Sequence, residues 1–180
     1  MIAGSLARRY ARALLDIGIA KGVYEQLGKD MDDLAALYSG SRDLVEALTN
    51  PVFPMARRRA VLEAILEKAK VSPITRNFAL LLLDRERLPY LPAIARELRL
   101  MVDERAGRVR GVVTSARPLS ADHLAGIQAA LEKASGRKVI LEKREDPTLL
   151  GGVVAKIGDV VYDGSVRTQL ETMKERFLAG

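Results

Sequence analysis

Apolar residues recur at helical spacing through the first hundred residues of the chain. Leu6, Tyr10, Ala13, Leu14 and Ile17 fall at i, i+4, i+7, i+8 and i+11, one face of a helix with Ser5 as its N-cap. Gly22 ends that pattern. Val23, Leu27, Met31, Leu34 and Leu37 predict a second helix. Ser41 caps a short third one with Leu44, Val45 and Leu48 inward, and Asn50-Pro51 stops it. A fourth helix runs from about Met55 to Lys70 on Val61, Leu62, Ile65 and Leu66. Ser72-Pro73, an N-cap followed by proline at the first helical position, opens a fifth. The sixth begins between Pro89 and Pro92, points Ile94, Leu98, Met101 and Val102 inward, and ends at Gly107.

After Gly107 the period shortens. Arg108 to Ala116 reads as a strand, Ser120 caps a helix carrying Leu124, Ile127 and Leu131, and "KVILEK" is a second strand. Val153 to Ile157 and Val160 to Asp163 are separated by two residues, Gly158-Asp159, which predicts a tight hairpin with glycine at the first turn position. In that hairpin Ile157 faces Val160 and Ala155 faces Tyr162, while Val154, Lys156, Val161 and Asp163 share the other side. Gly151-Gly152 permit a bend before it. Gly164 turns the chain into a closing helix capped by Ser165, with Val166, Leu170, Met173 and Phe177 at helical spacing. The fold class is therefore α+β: an N-terminal six-helix bundle over residues 1–105, then a small C-terminal α/β domain over residues 106–180 with a β-hairpin and a closing helix.

Composition narrows the chemistry. Of 180 residues, 48% are hydrophobic and only 4% aromatic, so the cores are built from Leu, Ala, Val and Ile. The absence of cysteine excludes disulfides, a thiol nucleophile and any Cys-ligated metal. His123 is the single imidazole and reads as a partly exposed residue in the first turn of a helix, without the ligand company a metal needs. The longest apolar run, Phe78 to Leu83, is far short of the roughly 20 residues of a membrane helix. Arg8, Arg9 and Arg12 near the start continue into an amphipathic pattern, and they read as part of the first helix rather than a transit peptide. The net charge of +6 divides into +2 up to Glu104 (16 basic against 14 acidic residues) and +4 after it (13 against 9). Such an excess suits an acidic partner or an anionic surface.

Four stretches carry candidate sites. "LGGVVAKIGDVVYDGSVRTQLETM", from Leu150 to Met173, resembles a phosphate cradle, but neither dinucleotide nor P-loop spacing occurs in it, so its glycines read as architecture. Asp30, Asp32 and Asp33 read as a solvated face of the second helix. Arg57-Arg58-Arg59 sits in the first turns of the fourth helix without interleaved aromatics and reads as a solvated or interface face. Helix five, "NFALLLLDRERL", is apolar all round from Phe78 to Leu83, and helix one sets Ala7 and Ala11 beside its stripe. Such surplus apolar surface belongs either to a central position in the bundle or to a groove that receives a partner helix.

Four stretches together resemble a known family: "ARRYARALLDIGIAKG", "LTNPVFP", "NFALLLLDRERLPYL" and "GGVVAKIGDVVYDGSVRTQLETM", in this order and spacing. They resemble the delta subunit of bacterial F-type ATP synthase, counterpart of the mitochondrial oligomycin-sensitivity-conferring protein. The resemblance spans essentially the whole chain. It implies a non-catalytic stator subunit, without cofactor or metal, that joins the catalytic head to the peripheral stalk and resists rotor torque. It implies that the bundle receives the N-terminal helix of an alpha subunit between helices one and five, at or beside Tyr10, Ala13, Leu14, Asn77, Phe78 and Leu81. It further implies that the C-terminal domain meets the C-terminal ends of the b subunits. The signature there comprises Gly151, Gly152, Gly158, Asp159, Asp163, Gly164, Ser165, Arg167 and Leu170. The implied location is the cytoplasmic side of a bacterial inner membrane, peripheral through the complex and without direct contact to nucleic acid. Gly18 and Gly22 loosen helix one by about 1 kcal/mol each if helical. The rival reading is a basic helical RNA-binding protein, supported by Arg57 to Arg59 and the C-terminal charge excess.

Overall fold

The computed structural model describes residues 2–158, 160–168, 170, 173 and 174. The chain divides into two compact units, residues 1–102 and 103–180. The first holds α1 (Ile2–Ala20), α2 (Tyr24–Gly40), α3 (Arg42–Thr49), α4 (Met55–Lys68), α5 (Pro73–Asp84), a 3-10 turn (Leu88–Tyr90) and most of α6 (Leu91–Arg105). The second holds β1 (Arg108–Ser115), α7 (Ala121–Ser135), β2 (Lys138–Glu145), β3 (Gly152–Ile157) and β4 (Val160–Ser165).

The helix ends follow local chemistry. Ser41 Oγ accepts from the Leu44 amide at 3.2 Å, Ser72 Oγ from the Thr75 amide at 3.2 Å, and Ser120 Oγ from the His123 amide at 3.3 Å. Each satisfies one of the orphan amides of a first turn.

The core of the first unit departs from the sequence pattern in an instructive way. On α1 the buried residues are Ala7, Ala11, Leu14 and Leu15. Leu6 and Tyr10 are half-buried, and Ala13 and Ile17 are exposed. The inward face is thus rotated toward the small residues, because a helix surface of alanine and glycine lets neighbouring elements approach closely. Gly18 takes this furthest. It is helical, and a Cβ there would lie 2.8 Å from the Cα of Tyr24, so only glycine lets the start of α2 fold back onto α1. Its loss of helix propensity is the cost of that contact, whereas Gly22 (φ +68°) lies in the turn. On α2, Val23 and Leu37 prove exposed and Tyr38 buried. Helix α5 is apolar all round because it is buried nearly all round: Thr75, Phe78, Ala79, Leu80, Leu82 and Leu83 lie inside, leaving Leu81 outward.

Asp30 corrects the reading of the Asp30, Asp32 and Asp33 cluster as a solvated face. Asp30 is buried, accepting from Gln26 Nε2 at 2.6 Å, the Ser72 amide at 2.8 Å and Thr75 Oγ1 at 2.9 Å. Asp32 is held by both Nε and Nη2 of Arg99 at 2.7 Å, and only Asp33 is a free-standing surface residue by exposure. Burial pushes the Asp30 pKa up. The Ser72 amide and the Gln26 and Thr75 side chains outweigh it and hold the carboxyl below its ordinary value.

In the second unit the sheet order is β2-β1-β3-β4. β1 and β2 are parallel, joined through α7, while β1–β3 and β3–β4 are antiparallel. The hairpin register is the one its sequence predicts: Ile157 pairs with Val160, Ala155 with Tyr162, Lys156 with Val161 and Val154 with Asp163. Val113, Leu131, Val139, Ala155 and Ile157 form the small core beneath α7. After Ser165 the described residues Val166 to Thr168, Leu170, Met173 and Lys174 are helical; Phe177 lies outside the described residues, as does Asp159 of the hairpin turn.

Because the folded pKa of Asp30 is depressed, its contribution is present above the unfolded carboxylate value of about 3.9 and is lost as pH falls through the folded value. Asp30→Asn therefore costs about 1–3 kcal/mol at pH 7, and the difference from the parent shrinks at pH 3, measured by urea unfolding at both pH values. Gly152→Ala destabilises the second unit by at least about 2 kcal/mol, since φ is +82° and the added Cβ meets the Gly164 carbonyl oxygen at 2.4 Å. Faster hydrogen exchange of the β1 and β3 amides, with α5 unchanged, is the expected readout.

Candidate docking surfaces

Three side chains join α1 to α5 and the turn after it. The rings of Tyr10 and Phe78 meet edge to face, with centroids 6.2 Å apart at 64°. The Arg87 guanidinium lies 5.3 Å from the Tyr10 ring centroid and donates a hydrogen bond to its hydroxyl. Arg87 thus fixes a ring that flanks the surface between the two helices.

The six residues implied at the alpha-subunit contact separate by depth. Leu14 (1% exposed) and Phe78 (8%) belong to the core, so they can support a docked segment only from beneath. Tyr10 is half-buried, while Ala13, Asn77 and Leu81 are exposed, Leu81 to 44%. Ile17, on the same predicted stripe as Tyr10 and Ala13, is exposed to 45%. The residues that helical periodicity assigned to the core of α1 are therefore in part its apolar surface.

In the second unit the glycine-rich signature is built as architecture. Gly158 has φ +55° at the hairpin turn, and the Gly151 carbonyl accepts from the Val166 amide at 3.1 Å. Asp163 Oδ1 accepts from the Ser165 amide at 2.8 Å and Oδ2 from Thr168 Oγ1 at 2.9 Å. Those donors hold its carboxyl below the ordinary carboxylate range. Ser165 Oγ in turn accepts from the Thr168 amide at 3.3 Å, the cap its sequence predicts. Gly164 passes 3.2 Å from the Val153 carbonyl, measured from where a Cβ would sit. Arg167 and Leu170 are exposed, and Leu170 joins Val160, Val161, Val166 and Met173 as exposed apolar residues along β4 and the helical residues after it. Among the described residues no three or more His, Asp and Glu side chains are grouped to hold a metal, and no helix is long and apolar enough to cross a membrane.

The arginine run does not form a free cationic strip. Arg57 lies over the Phe53 ring at 5.1 Å, Arg59 bonds Asp84 at 3.2 Å and pairs with Glu63 at 3.6 Å, and Arg58 is buried. The sequence gives no sign of that burial, because arginine at that spacing suits a solvated face equally well.

Known proteins share both the sequence and the fold of this chain. Residues 6–177 match the family model described as ATP synthase delta (OSCP) subunit. The chain belongs to that family. The ATP synthase subunit delta of Myxococcus xanthus is 46% identical over 97% of both chains, and that of Anaeromyxobacter dehalogenans is 43% identical over 97% of this chain and 98% of the relative. Among solved structures, a chain in the Toxoplasma gondii mitochondrial ATP synthase hexamer superposes with a TM-score of 0.69 at 25% identity, covering 97% of this chain and 98% of that one. The OSCP-type fold is thus α+β, with helices first and a four-stranded sheet after them.

The depth of Phe78 and Leu81 makes a paired prediction. Phe78→Ala costs about 3–5 kcal/mol of stability, whereas Leu81→Ala changes it by about 0.5 kcal/mol. Denaturant unfolding of the two variants measures the contrast.

Proposed function

We propose that the protein is a non-catalytic stator subunit of F-type ATP synthase, holding the catalytic head to the peripheral stalk. The observation that carries this reading is a pair of exposed apolar surfaces on separate compact units: Ala13, Ile17 and Leu81 on α1 and α5, and Val160, Val161, Leu170 and Met173 at the β4 edge and beyond. Exposed apolar surface of this kind marks contact with other proteins, and two such surfaces on two units suit a connector. Family membership over nearly the full chain supports the same conclusion.

The first unit receives an amphipathic helix, the N-terminal segment of an alpha subunit, between α1 and α5. Leu81, Asn77, Ala13 and Ile17 make the contact. Leu14 and Phe78 form its floor, and Tyr10, fixed by Arg87, forms its wall. The second unit meets the C-terminal ends of the b subunits, with the hairpin and the capped turn at Ser165 as a rigid base. The protein sits on the cytoplasmic side of a bacterial membrane, held there through the complex.

The mechanism is mechanical. Each charge that crosses the membrane releases about 2.3 kcal/mol per 100 mV, and rotation driven by that energy strains the head usefully only while the head is held still. A coupling with this task needs extensive specific contacts and no reactive pocket.

Leu81→Asp is expected to weaken binding of an alpha-subunit N-terminal peptide at least roughly tenfold, as loss of a buried apolar anchor does, while leaving the thermal unfolding of the bundle intact. Equal affinity by calorimetry would remove α5 from the contact. Affinity purification of the tagged protein from native membranes is expected to recover the other F-type ATPase subunits; recovery of RNA in their place would restore the rival reading.

A further inference from the structure

Arg58 stands in the middle of the arginine run, yet it is only 7% exposed. Its Nε is fully buried without a hydrogen-bond acceptor. The nearest carboxylate oxygen, Oε1 of Glu86, is 4.0 Å from Nη2, on a side chain that is 73% exposed. A buried guanidinium offers five donors in a planar fork and cannot shed its charge. Proteins ordinarily bury such a group only with acceptors around it. Arg58 is therefore a buried cation that its own unit pairs only loosely, through the exposed carboxylate of Glu86.

The side chain lines a cavity of about 220 Å3 between the end of α3, α4 and the turn that follows α5. Leu48, Leu83 and Leu88 give it apolar walls, and Thr49, Arg58 and Glu86 are polar groups on its lining. The Thr49 hydroxyl already donates to the Val45 carbonyl at 2.6 Å, so its hydrogen is committed. Among the lining side chains, that leaves the Arg58 guanidinium as the donor available to an occupant.

We propose that this cavity is a binding site for a single carboxylate on a short apolar stem, held by the Arg58 guanidinium. The charge balance selects a monoanion: with Glu86 displaced, the single Arg58 cation matches one carboxylate and leaves a phosphate dianion uncompensated. The shape of the donor fork suits the two oxygens of a carboxylate. The leucine walls suit methylene groups behind it, and the volume excludes a nucleotide. Glu86 sits in the turn with a left-handed backbone (φ +54°) and an exposed side chain, so its weak pairing with Arg58 yields readily to an incoming carboxylate. The carboxylate is supplied either by a free small acid or by an acidic side chain of a neighbouring subunit; the chemistry at Arg58 is the same.

The test uses the full-length protein with sodium butyrate as the probe, against sodium chloride and inorganic phosphate at matched ionic strength. Butyrate is expected to raise the Tm saturably and to shift the Arg58 Nε–Hε NMR resonance, while chloride and phosphate do neither. Arg58→Met, similar in length and without charge, is expected to fold with a Tm at or above the parent's and to lose the butyrate response. An acidic side chain as the source is indicated if butyrate has no effect but Arg58→Met binds the catalytic head at least tenfold more weakly while Leu81→Asp, compared in parallel, identifies the α1/α5 contact separately. The butyrate measurement is independent of the stator reading, so the two can fail separately. Absence of a butyrate response together with unchanged head binding overturns the proposal. A lowered Tm in Arg58→Met with no response of the parent's Arg58 resonance and unchanged head binding does so too, since Arg58 would then be a structural cation.

Discussion

The carboxylate of Asp30 accepts hydrogen bonds from its own helix, from the backbone at Ser72 and from the Thr75 side chain, and through them it fixes where α5 begins. Ser72 supplies the cap and Asp30 supplies the acceptor for the capping residue's own amide. The four polar groups at that helix start are thereby satisfied within the protein. This matters because the apolar run of α5, Phe78 to Leu83, is buried at every position but one. Its register decides that Phe78, Ala79, Leu80, Leu82 and Leu83 go inward and that Leu81 goes out. A slip of one residue would rotate the helix by about 100° and bury the wrong set. The anchor at Asp30 therefore governs both the packing of the bundle and the identity of the side chain that α5 offers to a partner.

Much of this was legible in the sequence, and the failures have physical causes. Six helical segments, the caps at Ser41 and Ser72 and the hairpin register follow from spacing and cap chemistry, which are local properties; Ser5, expected to cap α1, instead lies inside a helix that starts at Ile2. The rotation of α1 does not. Hydrophobic periodicity places the largest apolar residues inward, but close packing here prefers Ala7, Ala11 and Gly18 at the contact and leaves Ile17 outside. The same residues that misled the core assignment form the exposed stripe, so a helix with two apolar faces is a better guide to docking than to packing. For α5 the opposite outcome holds: an all-apolar run marks central burial, and its available surface reduces to one leucine.

In the second unit, sequence reveals the antiparallel hairpin but not the parallel pairing of β1 with β2, since a parallel ladder is specified by a crossover rather than by a turn motif. The role of Gly152 was likewise visible only in part. Two adjacent glycines suggest a bend, yet the decisive fact is the approach of the Gly164 carbonyl from β4, a strand partner that local sequence cannot display. The glycine-rich stretch resembles a ligand loop because both uses require backbone to pass where a side chain cannot. Here the approaching atoms belong to the protein itself. The capped turn at Ser165 and Asp163 closes that arrangement with hydrogen bonds of its own.

Asp30 and Arg58 mark the difference between a buried charge that builds a fold and one that awaits a partner. Both come from runs of like charge that sequence patterning assigns to a solvated or interface face, and both are more than nine-tenths buried. Asp30 is surrounded by three donors, and that satisfaction outweighs the desolvation of its carboxylate. Arg58 has a distant, exposed carboxylate and a cavity with leucine walls beside it. In a protein whose work is to hold others still, a cation left unsatisfied next to an open volume makes physical sense as part of a contact completed from outside. Its desolvation is already built into the folded unit, so an arriving carboxylate gains the attraction without paying again for that burial.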